Sequence, residues 1–437
     1  MLTDWIHWLS SIRTNELILL VLPLLLLDGP RYTLGMVGLW MWDFVDLLKQ
    51  RFWPQLWLEQ SGWGEHSTNT FDYCPEVCVI VAGLNEAETV GHTLESMRDT
   101  YPRMEIVVVD DGSDDNMTEV ARAFAEQNAG VMVLSRKFRG GKSSALNYAL
   151  PFTQAEIIVC VDGDSHLQEN AIWEIVQPFV DPQVAAVSGT VVARNPFVNA
   201  TTWLQALEYL KTIFLGRMLA SRLNMLAIVS GAFGAYRREP LARTAGWDVG
   251  PGEDGDLSLR LRKMGYRIVF APYAQCLTNL PTSFWRLIKQ RRRWEWAIVT
   301  FECRKHIDLV NIFSSNFRWS NLFLVLDRWL FGIVLQVALI AYIIYAIANP
   351  PAELLLQLSI QYACFVVLEY VQLAVILYYS LNRRRDAIVG LIAPVMPFYH
   401  LFQRFVSLYA VIEEMVSRRS FRDTFVPEHV RDVTWHW

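Results

Sequence analysis

A chain of 437 residues has room for roughly two or three structural units, and at 53% hydrophobic with a mean hydropathy of +0.21 it is too apolar for an ordinary soluble protein of that size. The net charge of −5 gives no case for nucleic-acid binding. The six cysteines (Cys74, Cys78, Cys160, Cys276, Cys303, Cys364) lack zinc-site spacing and read as free thiols.

The N-terminus opens with Trp5, Trp8 and Arg13, then an apolar run from Leu17 to Leu27 interrupted by Pro23. Asp28-Gly-Pro-Arg31 reads as a turn. A second apolar run goes from Tyr32 to Leu48 and closes on Lys49 and Arg51. Each run is short against the roughly 20 residues of a spanning helix, and together they predict a membrane hairpin over 1–53. Two other readings stand beside it. A cleaved signal peptide lacks its small-x-small site after Leu27. An interfacial helix is favoured by Trp40, Trp42, Trp53 and Trp57. Residues 54–73 are a polar linker.

From Cys74 the texture changes. Strands are predicted over Val77–Ala82, Glu105–Asp110, Val131–Leu134 and Ile157–Val161, with helices over Asn85–Arg98, Met117–Asn128 and Lys142–Leu150. This alternation predicts an α/β fold over 74–305, a doubly wound, mostly parallel sheet with right-handed crossovers. Ligands of such sheets bind beyond the carboxyl ends of the strands, where both Asp110-Asp111 and Asp162-Gly-Asp164 fall.

Ile157–Val161 is a continuous apolar run suited to a strand covered on both faces. A sharp turn at Gly163 would bring Asp162 and Asp164 onto one hard cation, Mg²⁺ or Mn²⁺, with substrate phosphates completing the shell. Asp-Gly-Asp alone reads more plainly as a solvated turn; its neighbours argue otherwise. Asp110-Asp-Gly-Ser-Asp-Asp115 offers acceptors for a base or ribose, with Asp114 and Asp115 read as a helix cap. Gly252-Glu-Asp254 precedes a helix over Gly255–Met264, and a carboxylate there can serve as a general base. Gln290-Arg-Arg-Arg-Trp294 joins guanidinium groups for phosphate oxygens to an indole for a sugar face. Arg291 and Arg292 read equally well as charges against lipid headgroups. Phe197 to Phe214 reads as an amphipathic helix at the membrane surface.

After His306 the chain turns apolar again, and 306–437 is predicted to be an interfacial and C-terminal transmembrane region. Leu322–Ala348 and Leu354–Leu381 are predicted spans, stopped by Asn349-Pro-Pro351 and Asn382-Arg-Arg-Arg385. A third run, Ala387–Ile412, is broken by Pro394 and Pro397 and carries His400 and Arg404; a crossing and a re-entrant segment are both open. Arg383–Arg385 and the tail residues Arg418, Arg419 and Arg422 both ask for the cytoplasmic side, which the re-entrant path permits.

The acidic clusters and Gln-x-x-Arg-Trp, in this order from Val77 to Trp294, resemble the processive members of glycosyltransferase family 2. These polymerise sugars from nucleotide donors. The resemblance implies a nucleotide-sugar glycosyltransferase A-type fold flanked by transmembrane and interfacial helices. It implies an inverting, metal-dependent hexosyltransferase in the inner (plasma) membrane, multi-pass, with a cytoplasmic catalytic domain. Its substrates would be a UDP-sugar, UDP-N-acetylglucosamine ahead of UDP-glucose, and the growing β-linked polysaccharide, which it would also translocate. The lipid bilayer is a partner, and a regulatory or export subunit is compatible. Carried over by position, Asn85, Glu86, Asp110, Asp111, Lys142, Asp162, Gln290 and Arg293 would bind the donor. Asp162 and Asp164 would hold Mg²⁺ or Mn²⁺, and Asp254 would be the catalytic base. Gly231, Phe233, Glu253 and Trp294 would meet the acceptor. The competing readings are transfer of one sugar to a lipid carrier, which Gln290–Trp294 opposes, and a transporter or scaffold with an inactive domain. The chain departs from the family pattern at Gly252, usually Thr, and at Glu295-Trp296, usually small residues. It has no clear match to the gating loop of cellulose synthases, nor to a cyclic-di-GMP-binding tail.

Overall fold

Runs of Val, Ile and Cys alternate with helical segments, and the chain folds them into one sheet between helical layers. The structure, a computed structural model, describes residues 21–26, 29–52, 73–248, 250, 252–314, 317–349, 354–424 and 426–434. The first half of the expected hairpin (Trp5, Trp8, Arg13) and nearly all of the 54–73 linker lie outside the described residues.

Among the described residues the sheet has eight strands, β1 Val77–Gly83, β2 Met104–Asp110, β3 Val131–Ser135, β4 Ile157–Asp162, β5 His166–Leu167, β6 Val184–Ala193, β7 Phe233–Arg237 and β8 Arg267–Thr278. Their order across the sheet is β3-β2-β1-β4-β7-β6-β8-β5. β1 pairs in parallel with β2 and β4, and β2 with β3, as the alternation predicts. β7 runs antiparallel to both β4 and β6, while β6 and β8 are parallel. Register then places the chemistry. Gly83 stands opposite Asp110 and Ala82 opposite Asp162, so the two acidic strand ends flank the end of β1.

Each face of the sheet is covered. On one, Val79, Val81 and Val159 pack with Val90 and Leu94 of the helix Ala87–Glu95 and with Met117 and Ala121 of Met117–Ala125. On the other, Ile80, Val107 and Ile158 meet Leu146 of the helix Lys142–Ala149 and Leu257 and Leu261 of Glu253–Lys263. That second core runs on without a break into Met36, Leu39, Ile376 and Tyr399 of the apolar helices.

Two helices, Trp319–Ala348 and Leu354–Tyr379, are long and apolar enough to cross a membrane. The third run is broken where its prolines predict, into Arg383–Val389, a tight turn Gly390–Val395 and Met396–Ser417. Arg404 donates to the carbonyl of Phe331, so it faces protein. Two expectations are corrected. Gly29–Arg31 is not a turn but the start of the helix Gly29–Phe52, with Pro30 in the first turn, where a missing N–H is harmless. The helix Ala200–Tyr209 is not a surface helix: Leu204, Leu207 and Tyr209 are buried in the core shared with Tyr399.

One polar cluster lies deep in this helical layer. Lys211 donates to both oxygens of Glu369, at 2.6 and 2.7 Å, and His400 Nε2 lies 3.0 Å from its ammonium. Lys211 belongs to the wide turn Leu210–Gly216 that follows the sheet-side helix, and Glu369 to the apolar helix Leu354–Tyr379.

Candidate active site

Asp162 closes β4, and Gly163 turns the chain toward Asp164. Lys142, first residue of its helix, reaches across to pair with the Asp162 carboxylate and donates to the carbonyl of Gly231 at 2.9 Å. The Gly231 N–H in turn donates to Asp254 Oδ2 at 3.0 Å, and Gly255 N–H holds Asp254 Oδ1 at 2.7 Å. Three motifs distant in sequence therefore meet through one lysine and one glycine. Burial opposes the charge on Lys142, but Asp162, Glu253 and Asp254 outweigh it and hold the ammonium above its usual range. Burial raises the carboxyl of Asp254 despite Lys142 and the two N–H groups. Glu253, buried and next to Asp254, is pushed up to about 7.

Glu86 opens the helix after β1, and its Oε2 is buried with no hydrogen-bond partner. It lies against the Asp162–Asp164 turn, where a methyl placed on Gly163 would fall 2.0 Å from that oxygen. A side chain at 163 would therefore push the Glu86 carboxylate out of this position. Burial, then the charges of Asp164 and Asp162, push Glu86 up to about 8. Asp164 is raised by burial and by Asp162. Such crowding of hard oxygens, one of them unpartnered, fits a site for Mg²⁺ or Mn²⁺. Among the described residues no three acidic, cysteine or histidine side chains form a complete cage.

The aspartates at the end of β2 are turned inward. Asp110 accepts from Ser113 N–H at 2.9 Å and from the Thr118 hydroxyl. Asp111 accepts from the N–H groups of Gly140 and Gly141 and from Arg136 at 2.8 Å. Both carboxylates are 4% exposed and shape the loop that leads to Lys142. Asn85, with φ +58°, takes the N–H of Asp114 on its side-chain oxygen and ties the β1 loop to the β2 loop. Asp115 accepts from the N–H groups of Ala87 and Met117, the first residues of two helices, while the N-cap position of Met117–Ala125 is Asn116, and not Asp114 or Asp115.

Gln290–Trp294 lies on the helix Phe284–Ile298. Its C-terminal end packs on the Gly252-Glu-Asp turn: a methyl on Gly252 would come within 2.7 Å of Ala297 Cβ. Gln290 Oε1 is buried and unpartnered. Arg291 and Arg292 are engaged within the protein, pairing with Glu208 at 2.8 Å and Glu413 at 2.7 Å. Trp294 is 42% exposed. Phe233 is corrected. It is fully buried against Gly189 in the sheet core, because β7 is covered on both faces, so it presents no surface to an acceptor.

Sequence reasoning missed the tail. Arg293 Nε donates to Asp423 Oδ2 at 3.1 Å. Ser420 is fastened to Glu414 by two 2.7 Å hydrogen bonds, and Pro427 reaches the vicinity of Gly141, beside Lys142. No motif marks these residues; Glu414, buried inside a helix, is the one local signal of an anchor.

The profile of glycosyltransferase like family 2 matches residues 75–297. A poly-β-1,6-N-acetyl-D-glucosamine synthase of Staphylococcus aureus (strain COL) is 29% identical over 221 residues, 50% of this chain and 53% of that protein. The enzyme of the same description from Staphylococcus epidermidis is also 29% identical over 221 residues. The match therefore spans about half the length of these curated relatives. A mannosyltransferase from Pyrobaculum calidifontis, solved with GDP-Man and Mn²⁺, superposes with a TM-score of 0.59 at 20% identity, covering 92% of this chain and 99% of that one. That likeness bears on the fold. The chain belongs to glycosyltransferase like family 2.

Proposed function

We propose that this protein is a membrane-embedded inverting glycosyltransferase that extends a β-linked polysaccharide from a UDP-sugar and passes it across the bilayer. The observation that carries the reading is Lys142, which joins Asp162 to the Gly231 carbonyl while the Gly231 N–H holds Asp254. On this reading a donor diphosphate at Lys142 and Asp162 would lie beside the base. UDP-N-acetylglucosamine ranks ahead of UDP-glucose, supported by the named activity of the staphylococcal relatives.

Asp162 and Asp164, with Glu86 beside them, would hold Mg²⁺ or Mn²⁺. That ion, when bound, supplies positive charge to the departing diphosphate. Lys142 and Arg293 add cationic donors to the same oxygens. Asp254 takes the proton from the acceptor hydroxyl. The new bond forms at the anomeric carbon as the bond to the diphosphate breaks, so an α-linked donor gives a β-linked product. Asp110, Asp111 and Asn85 shape the nucleotide side through their loops, and Gln290 lines the donor side of its helix. Glu253, Gly231 and Trp294 border the acceptor. The catalytic unit would span 74–305, between a hairpin at 1–53 with its 54–73 linker and an anchoring region at 306–437 in the inner (plasma) membrane.

The test is the purified full-length protein in detergent, with Mg²⁺, Mn²⁺ or EDTA and one radiolabelled UDP-sugar at a time. Metal-dependent, high-molecular-weight product is expected with UDP-N-acetylglucosamine. A lipid-soluble monosaccharide would instead make the protein a single-sugar transferase, and intact donor under all conditions would sink the proposal.

A further inference from the structure

Arg291 and Trp294 stand three residues apart on the helix Phe284–Ile298, so they share a face. Their environments are opposite: Arg291 is 9% exposed and Trp294 is 42% exposed. The guanidinium carbon lies 4.2 Å from the centre of the Trp294 ring, within range of a cation–π contact. Beneath it, Arg291 Nη2 donates to Glu208 Oε2 at 2.8 Å. The same oxygen accepts from the Tyr399 hydroxyl at 2.7 Å and from Gln403 Nε2 at 3.2 Å. Gln403 also donates to the Tyr399 oxygen at 2.7 Å. Glu208 comes from the sheet-side helix Ala200–Tyr209, and Tyr399 and Gln403 come from Met396–Ser417.

We propose that this Arg291–Glu208–Tyr399–Gln403 network is the positioning device for Trp294. It fixes the indole as a flat platform for the acceptor sugar, and so governs acceptor affinity and product length while leaving donor chemistry alone. The inference rests on the glycosyltransferase reading above. Its physical content is order. A partly exposed tryptophan loses rotamer freedom when a cation is clamped against its ring. The cation can be clamped because a buried arginine needs its carboxylate, and that carboxylate is itself held by two further donors from another helix. Lysine would keep the charge at 291 but not the planar group or its fork of donors.

The experiment uses the full-length protein in lipid nanodiscs, labelled with 5-fluorotryptophan, with the Trp294 ¹⁹F resonance assigned by its loss in W294F. E208Q, Y399F and R291K should each shift or broaden that resonance. The KM for a soluble oligosaccharide acceptor should rise about tenfold in E208Q and R291K, with the KM for donor hydrolysis to water unchanged. Y399F removes a single hydroxyl and keeps the test open where E208Q does not fold. An unmoved resonance in Y399F and R291K overturns the proposal, and so does an equal loss of donor hydrolysis and acceptor use. A protein that transfers no sugar but shows the ¹⁹F changes would sink the functional reading and leave the positioning network standing.

Discussion

Asp254→Asn is the sharpest test of the chemistry. The carboxylate receives two backbone donors, Gly231 N–H at 3.0 Å on Oδ2 and Gly255 N–H at 2.7 Å on Oδ1. A carboxamide keeps one acceptor oxygen, so one of these N–H groups must face an NH₂. An unpaired buried donor costs about 1–3 kcal/mol of local stability. Loss of a general base lowers the rate by about a hundred- to ten-thousandfold, or about 3–5 kcal/mol of barrier. The catalytic loss exceeds the structural one, so the two separate experimentally. Polymer formation is followed by radiolabel, UDP affinity by calorimetry and folding by thermal unfolding, all on the same preparation. Expected are UDP affinity within about threefold of wild type, a modestly lower Tm and polymer reduced at least about a hundredfold. Asp254→Asn activity within about tenfold of wild type would remove Asp254 from the role of base.

Four other outcomes follow from the geometry. Burial raises Asp254, so the acid limb of kcat/KM should lie above the range of a free aspartate, with rate rising as the carboxylate ionises; a limb near the unperturbed value of 3.8 would contradict it. Glu86, raised from 4.5 to about 8, stabilises the fold in its protonated form, fully below 4.5 and progressively less as pH rises through 8; in EDTA, Tm should therefore fall from pH 6 to pH 8, and a flat or rising Tm would refute the assignment. Gly252 has φ +79° and no room for a side chain beside Ala297 and Phe301, so Gly252→Thr, which restores the family's usual residue, should lose about 1–3 kcal/mol in chemical denaturation and not gain activity. Asp423→Asn should weaken the hold of the tail on Arg293 and lower the donor KM by up to about fivefold, the scale of a partly exposed ion pair; a raised KM would mean that Asp423 assists binding.

The parallel half of the sheet was legible because β1, β2 and β4 are dominated by Val and Ile, and β2 and β4 each close on an aspartate. The other half was not. β7 is Phe-Gly-Ala-Tyr-Arg, whose small residues resemble a loop, and its place between β4 and β6 depends on partners far along the chain. β6 is buried at every position, so it shows no alternation to read. In the candidate site, the placement of Asp162 at a strand end and Asp254 at a helix start was legible from the breaks in the apolar pattern, whereas Lys142 came only through the family resemblance. The partners of Arg291, Arg292 and Arg293 were not, because Glu208, Glu413 and Asp423 come near them only through tertiary packing. Phe233 was misread for the same reason: strand register, not local sequence, decides which way it points.

The Lys211–Glu369–His400 cluster also bears on how the molecule is made. Glu369 is buried midway along a helix fit to cross lipid, and its partner ammonium arrives from the layer next to the sheet. A carboxylate left bare in hydrocarbon is costly, and so is a lysine sealed in a core without its counterion. On the membrane-embedded reading proposed above, insertion of Leu354–Tyr379 and closure of the sheet-side layer are therefore coupled through this ion pair. A fragment ending before Leu354 would lose the Glu369 carboxylate that Lys211 pairs with and would expose the apolar face that Ile376 and Tyr399 cover.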